Sequence, residues 1–347
     1  MESESDNKNT DSGPSETYPD DASSHRFDIV SNLPFYLSAL ILEDVAQSGD
    51  SDIDPKVTDG SRLRVSCTIA GVCRSWRRIA LDVPFLWSHI VISVRWSVTE
   101  TTDNILTLVS PRLKSYPASI VINDFQGGED SAIDPCHLER IEQIRHLHIR
   151  FQLDNELNDN GLLRLLGRLQ HPPEILTLDC GPVAIEPDLA STHITWSLRI
   201  IIDAIPTTRH LCLLFLGPLL EISKEELWPS VEVLEIEKPD KPFPLPKLLA
   251  ALPNLRSLII RTNQHEYDPY AYDWSHPPSH NGISYLKLPD VSFVGWDSGQ
   301  TRDRGMFPAL TELDVSNDRG LQGFMKSHPH VRDVLCEGHP YPETGRR

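Results

Sequence analysis

One short apolar pattern recurs along most of this chain and constrains its fold more than any other feature. The pattern reads apolar-x-x-apolar-x-apolar, with turn-forming residues between the copies, and Ile144/Leu147/Ile149 is a complete example. Alternation of this kind is the period of a β-strand that buries one face. The middle positions of successive copies lie 21 to 35 residues apart, the shortest step being 313 to 334 and the longest 176 to 211. The middle positions of the ten copies are Ile90, Ile120, Leu147, Leu176, Leu211, Leu234, Leu258, Leu286, Leu313 and Val334.

Several intervals between the copies carry a helical period instead, namely residues 104–114, 162–169 and 245–251. Each unit therefore reads strand, turn, helix and return, and one such unit cannot bury its own apolar face. Stacked units form a continuous core and a parallel sheet. Because most steps fall in the ~20–29 residues of a leucine-rich repeat, the copies resemble irregular leucine-rich repeats. We predict an α/β solenoid with a curved parallel sheet over residues 95–338. An ordinary α/β domain with similar strands stays the alternative, because the steps are uneven.

Residues 28–94 have a different, helical pattern. Leu33, Leu37, Ile41 and Val45 follow one another at i, i+4 spacing, which predicts an amphipathic helix with Pro34 in its first turn. A polar loop over residues 48–62 comes next. Helical periodicity then resumes and continues until Pro84 stops it. Three short helices are too few to bury their own apolar faces. The apolar positions of the second stretch are Ile69, Val72, Trp76, Ile79 and Val83.

Three sequence blocks in this segment resemble, in order, the F-box motif. The blocks are Leu33-Pro34, Val72-Cys73-Arg74-Ser75-Trp76-Arg77-Arg78-Ile79-Ala80 and Pro84-Phe85-Leu86-Trp87. The resemblance implies a three-helix F-box ahead of the repeats, sharing its apolar surface with a Skp-family adaptor. The residues implied to bind that adaptor are Leu33, Pro34, Leu37, Ile41, Val72, Cys73, Trp76, Arg77, Pro84, Leu86 and Trp87.

The same resemblance implies a function without bond chemistry. The chain would be the substrate-recognition subunit of an SCF-type ubiquitin ligase, linked through the Skp adaptor to cullin and RING subunits and holding a target protein on its repeats. Two alternatives remain open. One is a leucine-rich-repeat scaffold, unrelated to ubiquitination, whose F-box-like part only caps the first repeat. The other is an unfamiliar hydrolase, for which the fourteen histidines are the one argument.

The target is expected on the open face of the sheet, because side chains between the buried positions of a strand point to the other side. A segment after the strand at residue 260 adds several aromatic side chains, and Tyr and Trp are common at binding hot spots. The alternative is that these aromatics cover the flank of the repeats. The residues expected to bind the target are His146, His148, Arg150, Glu235, Glu237, Arg261, Lys287, Tyr270, Tyr272 and Trp274, and Glu312 and Asp314 share their face.

Composition narrows the partners further. Asp and Glu total 50 against 32 Lys and Arg, a net charge of -18, which argues against nucleic acid and anionic membranes as partners. Residues 61–80 are the exception, with five arginines and no acid. This cluster suits an acidic partner, or is a solvated helix face.

Six cysteines without a CxxC pair indicate a reducing compartment, the cytoplasm or nucleus. Residues 1–27 read as a disordered acidic tail and 339–347 as a C-terminal tail.

No familiar catalytic device can be placed in the sequence. It contains no Gly-x-Ser-x-Gly, Walker loop, Gly-x-Gly-x-x-Gly or His-Glu-x-x-His. Asp273, His276 and His280 could surround a metal, but they lie in a Pro-rich segment with no helix to fix their spacing. We therefore predict neither an enzyme nor a bound cofactor or metal.

Overall fold

A computed structural model describes residues 33–48, 61–93, 99–125, 135–151, 159–180, 196–214, 220–222, 227–237, 245–261, 280–289, 307–318 and 321–341, and every structural statement below concerns these residues. They form a mixed α/β structure around a long sheet of 11 strands. The expected tail over residues 1–27 lies outside the described part.

The first elements of the described part are short helices that form one layer. These are α1 (Phe35–Ser48), α2 (Ser61–Val72), α3 (Arg74–Asp82) and a 3-10 turn (Pro84–Trp87). Helix α1 begins one residue after Pro34, whose carbonyl accepts hydrogen bonds from the backbone N–H groups of Leu37 and Ser38. Pro34 therefore lies immediately before the helix instead of in its first turn. A residue at this position donates no intrahelical hydrogen bond from its backbone nitrogen, so proline fits there too.

The apolar period across residues 62–83 runs on without interruption, but the structure divides it at Cys73 into two helices, which together with α1 make the three short helices predicted. The backbone of Cys73 is extended, with φ -158° and ψ 175°, so the chain breaks between α2 and α3. The Cys73 carbonyl accepts the N–H of Arg77 at 3.0 Å and starts α3. Gly71 and Val72 precede the break, and both have low helix propensity. Helix α3 ends at Asp82, before Pro84, as predicted.

Strands and further helices follow in alternation. The strands are β1 (His89–Ser93), β2 (Ala118–Phe125), β3 (Ile144–Phe151), β4 (Ile175–Asp179), β5 (Trp196–Ser197), β6 (His210–Leu214), β7 (Leu220–Glu221), β8 (Val233–Glu237), β9 (Ser257–Arg261), β10 (Tyr285–Leu288), β11 (Glu312–Val315), β12 (Asp333–Cys336) and β13 (His339–Pro340). The helices are α4 (Thr99–Leu113), α5 (Asp159–Gly167), α6 (Leu198–Ala204), α7 (Leu245–Ala251) and α8 (Leu321–Ser327), and a second 3-10 turn spans Pro135–Arg140.

The ten repeat copies all become neighbouring strands of one sheet. The strand order is β1-β2-β3-β4-β6-β8-β9-β10-β11-β12-β13, and β5 and β7 pair separately. Every pair from β1 to β12 is parallel. The middle positions are register partners throughout, from Ile90 opposite Ile120 to Leu313 opposite Val334. This confirms an α/β chain with a long, mostly parallel sheet, and it is compatible with solenoid-like stacking.

One face of the sheet forms the core. The repeated apolar side chains, such as Leu147 and Leu234, are fully buried there and belong to a single apolar cluster. Leu106 and Val109 of α4 and Leu248 of α7 belong to the same cluster. The helices therefore supply the apolar surface that covers this face, and the other face carries polar side chains.

The C-terminal boundary needs a correction. Residues 339–347 were expected to be a tail, but His339–Pro340 pairs antiparallel with β12. Glu337 and Gly338 between the two strands both have positive φ, 54° and 76°. This is the backbone that two-residue hairpin turns require, so the last repeat ends in a hairpin.

Within the described residues, no helix has the length and apolar character that crossing a membrane would require.

Candidate functional site

Helix α1 exposes apolar side chains over its outward half. The side chains that face the core are Ser38, Leu42 and Ala46, spaced four residues apart and almost fully buried. Two members of the predicted stripe, Ile41 and Val45, are exposed instead. We use "α1 patch" for its exposed large apolar side chains, which are Phe35, Tyr36, Leu40, Ile41 and Val45.

The residues expected to bind an adaptor fall into three groups by exposure. Those exposed are Pro34, Ile41, Val72 and Arg77, and those half-buried are Leu33, Leu37, Cys73, Trp76 and Pro84. Leu86 and Trp87 are buried in the core, so neither side chain is accessible to a partner in this structure. Sequence reasoning did not include Phe35, Tyr36, Leu40 and Val45 among the candidate binding residues, although all four side chains are exposed. The sequence did indicate this exposed surface, because the apolar residues of α1 extend around the helix beyond the single stripe that faces the core.

Trp87 lies at the joint between the helices and the sheet. Its indole N–H donates to the carbonyl of Ala80 at 2.8 Å, and the guanidinium of Arg112 lies 5.0 Å from its ring centre. Nearby, the Ser66 hydroxyl donates to the Leu86 carbonyl at 2.6 Å. These contacts join α2, α3 and α4 to the start of the sheet, which explains why this tryptophan is internal.

The arginine cluster lies on the same helices. Arg64 is on α2, Arg74, Arg77 and Arg78 are on α3, and all four are exposed. Arg77 also donates from Nε to the Ala70 carbonyl at 2.9 Å. Solvent-exposed positive charge therefore accompanies the α1 patch in one helical layer.

The second candidate surface is the polar face of the sheet. His146, Arg150, Glu235 and Lys287 are half-buried on this face, and Arg261 is exposed. His148 and Glu237 are only 8% exposed each, so they are not presented to a target as expected. In a sheet with neighbouring strands about 4.8 Å apart, side chains of adjacent strands shield one another. Tyr270, Tyr272 and Trp274 lie outside the described residues.

Asp179 organises the polar face across β3 and β4. Its Oδ2 lies 3.2 Å from His148 Nε2 and accepts a hydrogen bond from Arg150 Nε at 2.9 Å. Two residues earlier on each strand, His146 Nε2 lies 2.8 Å from the Thr177 hydroxyl. Burial, followed by the neighbouring His148, lowers the pKa of His146 to about 4. This part of the face is a fixed, hydrogen-bonded network.

A cluster of three metal-ligand side chains lies further along the same face. His210 and Cys212 are two residues apart on β6 and therefore share one face, and Glu235 on β8 is the register partner of Cys212. His210 Nε2 lies 3.3 Å from Cys212 Sγ and 3.8 Å from Glu235 Oε2. Cys212 Sγ lies 4.0 Å from the same carboxylate oxygen.

Charge stabilises this cluster. The hydrogen bond with Cys212, and then the nearby carboxylate of Glu235, raise the pKa of His210 to about 9. The nearby His210 in turn lowers the pKa of Glu235. The other carboxylate oxygen of Glu235 accepts from Arg261 Nε at 3.1 Å. Sequence reasoning named Glu235 but neither His210 nor Cys212. The repeat pattern could have predicted this pair, because aligning the middle positions 211 and 234 of two successive repeats puts Cys212 beside Glu235.

His280, weighed as a metal ligand with Asp273 and His276, has a structural role. It is buried, its Nδ1 accepts from the Gly282 N–H at 3.1 Å, and its Nε2 lies 2.9 Å from the Leu252 carbonyl. Both ring nitrogens are therefore used within the fold. Asp273 and His276 lie outside the described residues.

No protein-family model matches this sequence, and a search of curated proteins gave no match.

Proposed function

We propose that this chain is the non-catalytic substrate-recognition subunit of an SCF-type ubiquitin ligase. In this proposal the three N-terminal helices are an F-box that binds a Skp-family adaptor, and the strands form a leucine-rich-repeat solenoid that holds a target protein. The observation that carries the proposal is the α1 patch, because it lies between the sequence blocks that resemble the F-box motif.

The patch supports a protein partner on energetic grounds. A helix that is apolar around its circumference is normally covered on all sides. Leu42 packs inward while Leu40 is 57% exposed and Ile41 is exposed beside it. Contiguous exposed apolar side chains mark interaction sites on soluble proteins. An adaptor surface would bury them and leave Leu42 in the internal core.

The exposed arginines Arg74, Arg77 and Arg78 support an acidic partner for the same layer. In a chain of net charge -18, such a cluster gives the helices a local potential opposite to that of the whole molecule. Opposite charges on partners raise association rates and set orientation. We assign this cluster to the rim of the adaptor interface.

The polar face supports the target-binding part of the proposal. It presents accessible groups of both signs, including Arg261 and Glu312, on a rigid parallel sheet. Polar, solvent-accessible groups of this kind form the rim of non-obligate interfaces. The mechanism would be proximity, since holding a target near the ubiquitin-charged enzyme raises the effective concentration of its lysines.

One observation favours a second candidate, a repeat scaffold whose helices only cap the sheet. Leu86 and Trp87 are buried against the first strand, which is what a cap requires. A cap alone does not account for the α1 patch, whose apolar side chains remain exposed.

Affinity purification of the full chain from cells, followed by mass spectrometry, separates the two candidates. The wild type is expected to recover a Skp adaptor, cullin and RING subunits together with target proteins. The Leu40→Ser, Val45→Ser double variant should lose the ligase subunits and keep the targets. Leu227→Ser is the matched control, since Leu227 is also 57% exposed but lies outside the helical layer. Target proteins recovered without any Skp adaptor would favour the cap and contradict the ligase proposal.

A further inference from the structure

We propose that His210, Cys212 and Glu235 form a zinc-binding site on the polar face of the sheet. The three residues offer one imidazole nitrogen, one cysteine sulfur and one carboxylate oxygen, and these atoms all lie within 4.8 Å of one another. Zinc binding would release the protons of the Cys212 thiol and the His210 ring to solvent, because both groups ligate only when deprotonated. The proposal is independent of the ubiquitin-ligase assignment, because it rests on this cluster alone.

The spacing of the donor atoms fits a tetrahedral ion. Zinc binds sulfur at ~2.3 Å, nitrogen at ~2.0–2.1 Å and carboxylate oxygen at ~2.0–2.2 Å, so its ligand atoms lie roughly 3.3–3.6 Å apart. The separation of His210 Nε2 from Cys212 Sγ is 3.3 Å, and the two distances to Glu235 Oε2 are 3.8 and 4.0 Å. A shift of a few tenths of an ångström by the flexible glutamate closes the difference.

The backbone holds the donors in place. His210 and Cys212 are two residues apart on β6, so both point to the same face, and Glu235 lies opposite Cys212 on β8. Both strands are internal to the sheet. A site built on paired strands keeps its geometry better than one built on a loop.

Arg261 orients the carboxylate. It binds Oε1 of Glu235 at 3.1 Å, which leaves Oε2 directed at His210 and Cys212. Ligating carboxylates are commonly held by such an outer hydrogen bond. Arg261 is therefore a positioning residue for the site, and it partly offsets the negative charge of the thiolate and carboxylate.

The donor types select the metal and its coordination. Thiolate with imidazole favours zinc over magnesium or calcium, which prefer all-oxygen sites. The His210 and Glu235 side chains keep 26% and 14% exposure, so an ion can enter from solvent. Three protein ligands leave a fourth tetrahedral position for water or for a donor from a docked molecule.

The test is metal binding by the purified full chain. After removal of metal by a chelator, zinc is titrated with a competing indicator, and Co²⁺ is bound as a spectroscopic probe. We expect one zinc per chain from this site, a thiolate-to-cobalt charge-transfer band, and visible bands with the intensity of a tetrahedral centre. Zinc should displace the cobalt and raise the melting temperature.

The variants Cys212→Ser and His210→Gln should weaken zinc binding by more than about 100-fold, beyond the ~10–100-fold typical of outer residues. Cys212→Ser should also lose the charge-transfer band. Cys336→Ser, a cysteine on β12 that is also free, is the matched control and should bind as the wild type does. Glu235→Gln serves as an additional ligand variant if either of the others fails to fold by circular dichroism. Wild-type zinc affinity in the folded ligand variants, or no zinc binding by the wild type, would overturn the site.

Discussion

The indole N–H of Trp87 donates a hydrogen bond of 2.8 Å to the carbonyl of Ala80, and both residues are buried. This contact links α3 to the 3-10 turn that leads into β1. The helices and the repeats therefore share one core, although their sequence patterns differ.

Replacing Trp87 should consequently destabilise the whole chain and not only its helices. Trp87→Ala removes a large buried side chain, for which a loss of about 3–5 kcal/mol is typical. Trp87→Phe keeps most of the volume but removes the indole donor, so the Ala80 carbonyl keeps only the longer hydrogen bond from the Val83 N–H at 3.4 Å, and a loss of about 0.5–1.5 kcal/mol is expected. Urea unfolding followed by circular dichroism measures both values. Equal midpoints for wild type and Trp87→Ala would show that the joint contributes nothing.

The Asp179 network gives a second stability prediction. Asp179→Asn keeps the shape but removes the buried charge that binds His148 and Arg150. Hydrogen bonds to charged groups contribute about 1.5–3 kcal/mol, so we expect a loss in that range. Asp203→Asn is the matched control, because the ion pair of Asp203 with Arg199 is exposed and such pairs contribute about 0–1 kcal/mol. Equal effects of the two substitutions on thermal unfolding would contradict the account of the network.

His146 predicts how stability depends on pH. Its pKa in the folded chain is lowered to about 4 from 6.5. As the pH falls, the unfolded chain is therefore protonated at His146 before the folded chain is. The contribution of His146 is complete above pH 6.5 and is lost progressively as the pH falls toward 4. The charged or titratable neighbours that lower its pKa are His148, His210, His89 and Arg145.

The measurement compares unfolding midpoints at several pH values for wild type and His146→Gln. The glutamine can still hydrogen-bond with Thr177 but does not titrate. We expect the variant to lose less stability than the wild type between pH 6.5 and 4. Replacing the exposed His339 by Gln controls for removal of a histidine as such. Parallel stability curves for wild type and His146→Gln would rule out this role.

The sheet was predictable from the sequence because each strand repeats the same inward positions. Leu147, Leu176 and Leu211 occupy equivalent places in the pattern, and the structure makes them register partners. Insertions between copies vary in length, but they leave the alignment of buried positions unchanged. Period-two burial therefore carried enough information to specify the neighbours of each strand.

The parts that could not be predicted depend on contacts between different segments. The apolar period passes through Cys73 without interruption, so the helix break there leaves no mark in the pattern. Trp87 fits both a core and an interface position, and only its contact with Ala80 decides between them. The proposed zinc ligands lie on two different strands. To find them from the sequence, one must know both the register of the two strands and which residues on them can bind a metal.

The central claim, adaptor binding through the α1 patch, is tested most directly by titrating the purified full chain with a Skp-family adaptor. We expect saturable one-to-one binding by the wild type and the Leu227→Ser control. Leu40→Ser with Val45→Ser should melt at the wild-type temperature, because exposed substitutions change stability by about 0.5 kcal/mol or less. Its affinity should fall by at least about 30-fold, the equivalent of roughly 1 kcal/mol for each truncated contact. A wild-type chain that does not bind the adaptor, or a folded double variant that binds it as tightly as the wild type, would contradict the account.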